Sequence, residues 1–215
     1  MFGHEFDKVS NYRMELLMKK AEAHVTYDYD GVTYDRTYFA SYPDNVTVMK
    51  LDASKSGNLT FTLRPEATYI RDYCTLPADH LGKTGQVVAS GDTAIVSGTL
   101  SGYNINYEAQ FKVIPTGGTM RTGANGTIIV ENADSAIILL TVDTNYELSS
   151  WTLTNPDSQK LDPNKFPHDQ VTQVINAAEK NFRTTASNAS GRLSGPLQPC
   201  GNGSGRYPFR RYPHG

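Results

Sequence analysis

The side chains that most often carry out chemistry stand singly along this chain. No two histidines have the HxxxH-type spacing that places metal ligands on one face of a helix, and we expect each to be a surface or internally satisfied residue. Cys74 and Cys200 form no CxxC pair, so the sequence predicts neither a zinc site nor a disulfide framework. The five histidines are His4, His24, His80, His168 and His214.

Two pairs of closely spaced carboxylates are the remaining candidates for acid–base chemistry. Asp28 with Asp30, and Glu131 with Asp134, flank predicted turns, where acidic side chains commonly solvate or shape the backbone. We interpret both pairs as turn residues. The sequence therefore assigns no catalytic residue, no metal ligand and no cofactor-binding residue, and predicts no cofactor.

Residues 81–84 (LGKT) match the end of a phosphate-binding loop. A phosphate-binding loop also requires a glycine five positions before Gly82 and a helix directly after the loop. This chain has Pro77 at the glycine position and a predicted strand at 86–89. An exposed loop is the interpretation that remains. The glycine string at 201–205 follows no strand and precedes no helix, so it is not a nucleotide fingerprint.

Charge gives no reason to expect a nucleic acid or membrane partner. The 215 residues have a formal net charge of −2 without long runs of one sign. The alternating Arg and Tyr residues at 206–212 would bind a nucleic acid strand only weakly. No apolar run reaches the length of a bilayer, and we predict no nucleic acid and no membrane as partner.

A hairpin and a following turn organise the first third of the chain. Asp30 and Gly31 separate two alternating segments, 25–29 and 32–36, and an Asp-Gly pair favours the primed turn of a two-residue hairpin. Pro43 interrupts the alternation that resumes at Val46, so the chain should reverse at residues 42–45. These signals predict a β-meander.

Further strands are predicted along the chain by alternation or short apolar runs between turn residues. The fold class is therefore all-β, an antiparallel β-sandwich, spanning about residues 12–153 in two layers. Because residues 137–140 are apolar without alternation, their strand should be buried on both faces. The further strands are 12–20 (strand and irregular structure, with a short turn of helix as the alternative), 59–63, 86–89, 94–100, 105–114, 127–130 and 135–143.

The pattern changes after the sandwich. Residues 156–167 contain three prolines and predict a linker, and helical spacing of apolar residues predicts an amphipathic helix at 168–182 that needs the sandwich as its partner. Periodicity is lost from Thr184 onward, which is typical of disorder. The predicted organisation is a sandwich domain at 1–155, a linker and helix at 156–183, and a disordered tail at 184–215.

Three long segments carry a family resemblance: YRMELLMKKAEAHVTYDYDGVTYDRTYFASYPDNVTVMKLDASKSGNLTF, GYNINYEAQFKVIPTGG and ENADSAIILLTVDTNY. They resemble the N-terminal β-domain of the glycoside hydrolase family 95 α-L-fucosidases over about residues 1–182. The chain departs from the family pattern at Met14, where arginine is common, at Leu17, where aspartate is usual, and at Thr37, where glutamate is usual.

The resemblance implies an incomplete super-sandwich, truncated at both ends. The family's activity is inverting hydrolysis of terminal α-L-fucosyl linkages, and its catalytic residues lie in an (α/α)6 barrel that would follow the helix. We therefore expect a non-catalytic fragment that meets fucosylated glycans only through a catalytic domain it lacks. Absent strands would leave unpaired edges and apolar side chains in water.

A free carbohydrate-binding sandwich is the alternative function. Such a module needs a row of exposed aromatic side chains on one sheet face. The candidates are Tyr27, Tyr29, Tyr34 and Tyr38, whose alternation is equally compatible with a core.

The tail after Arg183 carries a separate hypothesis. Read one nucleotide further on, its codons admit the family's continuation, with His, Asp-Tyr and Leu-Phe at the family's spacing. We interpret residues 184–215 as an out-of-frame translation, in which Cys200 and the glycine string have no function. The nucleotide sequence tests this hypothesis, and a stop codon immediately after Arg183 in the shifted frame would exclude it.

Overall fold

The structure is a computed structural model that describes residues 2–66 and 83–188. Several sequence predictions fall outside these ranges, and nothing in the structure bears on them. They concern Cys74, His80, residues 81–82 of the LGKT motif, the tail from 189 onward with its glycine string, Cys200 and His214.

The described residues form two antiparallel sheets, which confirms the predicted all-β sandwich-like fold. The eight-stranded sheet has the order β1-β2-β3-β4-β11-β8-β7-β6, and the three-stranded sheet has the order β5-β10-β9. The strands are β1 Ser10–Leu17, β2 Glu22–Tyr29, β3 Val32–Ser41, β4 Val46–Ala53, β5 Leu59–Leu63, β6 Lys83–Ser90, β7 Thr93–Leu100, β8 Ile105–Thr116, β9 Thr119–Thr122, β10 Ile128–Ala133 and β11 Ser135–Thr144. The helices are α1 Ser150–Thr154, α2 Asp157–Lys160 and α3 His168–Asn188.

The predicted hairpin and turn are confirmed. Asp30 and Gly31 both have positive φ, 50° and 70°, as a primed turn between β2 and β3 requires. At the next reversal the amide of Asn45 donates to the carbonyl of Tyr42 at 3.3 Å, and β4 begins directly after it.

Strand β11 is buried on both faces, as its continuous apolar run predicts. It pairs with β4 on one side and β8 on the other. Ile138 points into the core between the two sheets, while Ile137 and Leu139 point into a second core beneath α3. Both faces are shielded from solvent, because the three-stranded sheet covers one face and helix α3 covers the other.

Two hydrophobic cores hold the layers together. The core between the sheets contains Tyr27, Val32, Tyr34, Leu51, Leu59, Phe61, Ala94, Val113, Ile128, Val130, Ala133, Ala136 and Ile138. The core between the large sheet and α3 contains Val46, Val48, Ile114, Ile137, Leu139, Ile175 and Ala178.

Some predicted boundaries are wrong. The last strand ends at Thr144, and Leu153 lies in α1, because the Ser149 side chain forms a capping box with Thr152 and begins a helix there. Helix α3 continues through Asn188, beyond the predicted end near Phe182, because extending an existing helix costs far less than nucleating one.

Other local predictions also need correction. Lys83 and Thr84 are not in an exposed loop but begin strand β6, which pairs along its whole length with β7. Strand β9 was not predicted, because its sequence TMRT lacks an apolar alternation and it is held by its backbone pairing to β10. No helix among the described residues is long and apolar enough to cross a bilayer.

Candidate functional site: a polar ladder between strand β8 and helix α3

Strand β8 presents a row of polar side chains to helix α3. Asn106, Glu108, Gln110 and Lys112 alternate along the strand, so they share one face of the sheet. The first three are buried. Buried polar groups are destabilising unless they form hydrogen bonds. The hydrogen-bond partners of these side chains therefore indicate the role of this face of the sheet.

The partners lie one helical turn apart on α3. Nδ1 of His168 lies 2.9 Å from the Glu108 carboxylate, Nε2 of Gln110 donates to the Thr172 hydroxyl at 2.8 Å, and Nζ of Lys112 donates to Oδ1 of Asn176 at 3.2 Å. We call these three pairs the polar ladder.

The geometry of the two elements explains why the polar ladder fits. Two residues of a strand advance by about 6.8 Å, and four residues of an α-helix advance by about 6 Å. Alternate residues of β8 therefore stay level with every fourth residue of α3 over the three pairs. The ladder fixes the rotation of the helix and its position along the strand.

Asparagines hold the segment that leads into the helix. Nδ2 of Asn106 donates to the carbonyls of Pro163 and Lys165, both at 2.8 Å. Nδ2 of Asn145 donates to the carbonyl of Asp162 at 2.9 Å. Oδ1 of Asn145 in turn accepts from the Asn106 amide at 2.9 Å, so the linker carbonyls are tied to the ends of β8 and β11.

An ion-pair cluster secures the other end of the contact. Nζ of Lys112 lies 2.8 Å from the Glu179 carboxylate, and Nε of Arg183 lies 2.7 Å from it. Burial alone would raise the pKa of Glu179, but the hydrogen bonds and charges of Lys112 and Arg183 outweigh burial and lower that pKa below its ordinary value. Glu179 thus stays ionised against the sheet.

Apolar contacts supply the bulk of the packing. Val171, Ile175 and Ala178 lie on the face of α3 that meets the sheet, and all three are buried. Burying a side chain the size of isoleucine stabilises by about 1.5–3 kcal/mol. The predicted helical stripe is confirmed, and its partner is the sheet.

The side chains of this site attach helix α3 to the large sheet. Glu108 is the one ionisable side chain among the three buried residues of this row on β8, and its oxygens are occupied by Gln110 and His168. The part of the chain that the structure describes contains no group of three His, Cys, Asp or Glu residues able to hold a metal ion.

The acidic residues singled out from the sequence lie apart from this site. Asp28 accepts from Asn11 and Thr33, and these hydrogen bonds lower its pKa. Asp134 accepts from the Ser56 hydroxyl and the Gly57 amide, which lower its pKa as well. Asp30 lies in the hairpin turn, and Glu131 pairs with Arg121 at 3.5 Å.

The described histidines are likewise separate from one another. The His4 ring stacks on Tyr29 with centroids 4.1 Å apart, His24 contacts Glu22 at 2.9 Å, and His168 begins the polar ladder. Of the four tyrosines considered as a sugar platform, Tyr27 and Tyr34 are buried in the core, and Tyr29 and Tyr38 are half-buried.

The comparisons with known proteins agree with this architecture. A family model described as the glycosyl hydrolase family 65 N-terminal domain matches residues 3–149, more than half of the chain. The chain belongs to this family. The family 65 N-terminal domain here comprises both sheets and ends just before α1.

The curated relatives are fucosidases. "Alpha-L-fucosidase 2" of Arabidopsis thaliana is 28% identical over 180 residues, which cover 77% of this chain and 20% of that protein. "Probable alpha-fucosidase A" of Aspergillus niger is 28% identical over 190 residues, covering 85% of this chain and 22% of that protein. The resemblance to the fucosidase N-terminal β-domain is confirmed, and the chain spans about a fifth of the length of these relatives.

Sequence reasoning missed the polar ladder. The sequence predicts a strand at 105–114 but does not assign its polar residues to either face. A signal was nevertheless present, since His168, Thr172 and Asn176 repeat at four-residue spacing beside the apolar stripe of the predicted helix.

Proposed function

We propose that this chain is the non-catalytic β-domain of a fucosidase-like glycoside hydrolase, and that its task is to hold helix α3 in a fixed position from which a catalytic domain is oriented. The observation that carries the proposal is the polar ladder. A helix needed only to cover apolar surface would be served by its stripe, whereas the ladder and the asparagine contacts also set its register.

The parent activity that we propose is inverting hydrolysis of terminal α-L-fucosyl linkages. Two relatives named as fucosidases support it, and each is about five times as long as the stretch that matches this chain. Inversion needs two carboxyl groups about 6.5–9.5 Å apart with room for a water molecule. On this proposal those groups belong to the catalytic domain, and glycan binding takes place there.

The test is an assay of the purified chain with a 2′-fucosylated oligosaccharide, with the Arabidopsis fucosidase as positive control. We expect fucose release from the control and none from this chain. Fucose release that a single Asp or Glu substitution in this chain abolishes would overturn the proposal.

A carbohydrate-binding module without catalysis is the second candidate. It is favoured by exposed aromatic side chains around the linker: the single tryptophan, Trp151, is 59% exposed, and Tyr146 and Phe166 are also exposed. Titration with fucosylated oligosaccharides, followed by Trp151 fluorescence, separates the two functions. We expect no saturable change, and a saturable change that Tyr146→Ala removes would favour the binding module.

A further inference from the structure

Residues 2–5 pack on the core between the two sheets but form no strand. The Phe2 ring lies 5.8 Å from the ring of Phe61 on β5, measured between centroids. The His4 ring stacks on Tyr29 of β2, with centroids 4.1 Å apart. Two side chains therefore connect this segment, which we call the N-terminal strap, to the small and the large sheet.

Side chains rather than the backbone hold the N-terminal strap in place. Within the described part of the chain, residues 2–4 form no backbone hydrogen bond to a strand. The 3₁₀ turn that follows, Phe6–Lys8, is tied only locally, since the amide of Lys8 donates to the carbonyl of Glu5 at 3.1 Å. A segment of this kind can open locally without breaking the sheet ladders.

The two attached side chains meet at the guanidinium of Arg36. Its carbon lies 3.9 Å from the centroid of the Phe2 ring, and Nη2 donates to the Tyr27 hydroxyl. The same hydroxyl lies 3.0 Å from Nδ1 of His4. Because Arg36 has donors only, the Tyr27 oxygen accepts from it and leaves its own proton for a neutral His4 ring.

Protonation of His4 conflicts with these surroundings. Tyr27 and Tyr29 face the ring from β2, and Tyr34 and Arg36 face it from β3. Burial raises the pKa of Tyr27 and of Tyr34, so neither becomes an anion where a histidine titrates. A protonated His4 would therefore place a second positive charge beside Arg36 without a compensating negative charge.

The carboxylate next to His4 in sequence does not supply that compensation. Glu5 pairs with Lys8 at 2.5 Å, on the exposed turn. Burial first, and the charge of Arg36 second, lower the pKa of His4 below 6.5 while the strap is packed.

We propose that the N-terminal strap is a pH-sensitive element, closed while His4 is neutral and opened when His4 takes up a proton. In the open strap the His4 ring is solvated and has its ordinary pKa of 6.5, so protons favour the open state. The strap therefore stays closed above pH 6.5 and opens as pH falls from 6.5 towards the lowered pKa. Opening withdraws Phe2 from Arg36 and from Phe61. This inference does not rest on the fucosidase activity proposed above.

Hydroxyl-radical footprinting of the full chain at pH 7.5 and pH 5.5, read by mass spectrometry, tests the proposal. Phe2 is half-buried, and Phe6 in the same segment is 93% exposed and serves as the internal reference. We expect the oxidation of Phe2 relative to Phe6 to rise at pH 5.5. The ratio of open to closed strap can rise by at most about tenfold, the limit for an open-state pKa of 6.5.

Two histidine variants separate the strap from other titrating groups. His4→Phe keeps a ring for stacking but cannot bind a proton, so its Phe2 oxidation should not rise at pH 5.5. His24→Phe is the matched control, because His24 lies on β2 beside Glu22 and has no contact with the strap. We expect His24→Phe to keep the response of the wild type.

Removing the neighbouring charge tests the electrostatic part. Arg36→Met should raise the pKa of His4, measured by proton NMR titration of its ring. The proposal is overturned if Phe2 oxidation is the same at both pH values, if it rises equally in His4→Phe, or if the pKa of His4 does not rise in Arg36→Met. A rise that the buried Leu59 and Ile128 share would also overturn it, because the chain would then be unfolding as a whole.

Discussion

The side chains of His4, Tyr27, Tyr29 and Arg36 form a polar and aromatic cluster. The Tyr27 hydroxyl accepts from Arg36, which has donors only, and lies 3.0 Å from Nδ1 of His4. The Tyr27 hydroxyl proton is then free to be donated to Nδ1 of a neutral His4 ring, which also stacks on Tyr29. The arrangement places a histidine beside a fixed positive charge.

His4 should make stability depend on pH. Burial first, and the charge of Arg36 second, lower its pKa below the ordinary value of 6.5 in the folded chain. Because the unfolded chain then binds the proton more readily, stability should fall as pH drops through 6.5 towards the lowered pKa. Urea unfolding of the wild type and His4→Phe at pH 7.5 and pH 5.5 measures this.

The His4→Phe variant keeps an aromatic ring on Tyr29 but cannot titrate. We expect its loss of stability between the two pH values to be smaller than that of the wild type. Equal losses in the two proteins would show that other groups carry the pH dependence.

Gln110 is the central residue of the polar ladder, and its replacement should remove hydrogen bonds to two partners. Gln110→Ala removes the donor to Glu108 and to Thr172, leaving a buried carboxylate less well satisfied. We expect a loss of about 1–3 kcal/mol in the free energy of unfolding. Gln86→Ala, at an exposed position on β6, is the control and should change stability by less than about 0.5 kcal/mol.

At the scale of elements, helix α3 is the part whose position matters for the proposed function. Its apolar side chains provide most of the packing against the sheet, and the polar ladder sets the rotation of the helix and its position along β8. Neither set alone defines the geometry, because apolar packing tolerates sliding whereas paired hydrogen bonds at matched spacing do not.

Ile175 is the largest fully buried side chain of the helix and tests the apolar part. Ile175→Ala should destabilise the chain by about 2–5 kcal/mol, because it removes a buried side chain and leaves a cavity against the sheet. Gln173→Ala, on the exposed side of α3, should change stability little. Chemical denaturation followed by circular dichroism compares the two, and similar effects would mean that α3 is not packed as described.

At the scale of the whole molecule, the two layers cover the large sheet unevenly. Strand β11 is paired on both sides and covered on both faces, whereas among the described residues β1 pairs only with β2 and its Met14 and Leu16 side chains are exposed. Local opening is easiest where few buried contacts must be broken.

Hydrogen exchange should reproduce this gradient. We expect the amides of β11 to exchange slowest and those of β1 to exchange fastest among the strands of the large sheet, as measured by mass spectrometry on peptic fragments. Protection of β1 equal to that of β11 in the free chain would contradict this difference in burial.

The sequence by itself determined the local structure wherever turn chemistry and alternation agree. Asp30-Gly31, Pro43 and the strand periods located the meander, and the unbroken run at 137–140 predicted a strand buried on both faces. Short elements with no strong signal, such as β9 and α1, were missed because backbone pairing and a single cap decide them.

Only the tertiary structure decided which polar strand faces are exposed to solvent. Asn106, Glu108 and Gln110 alternate in the way typical of a solvent-facing row, and they are buried because α3 lies over them at a matching repeat. Met14 and Leu16 of β1 are the converse case, since their alternation is typical of a core face and yet both side chains are exposed among the described residues. Alternation records that the two faces of a strand differ, whereas the element that packs against each face is set by contacts between residues far apart in the chain.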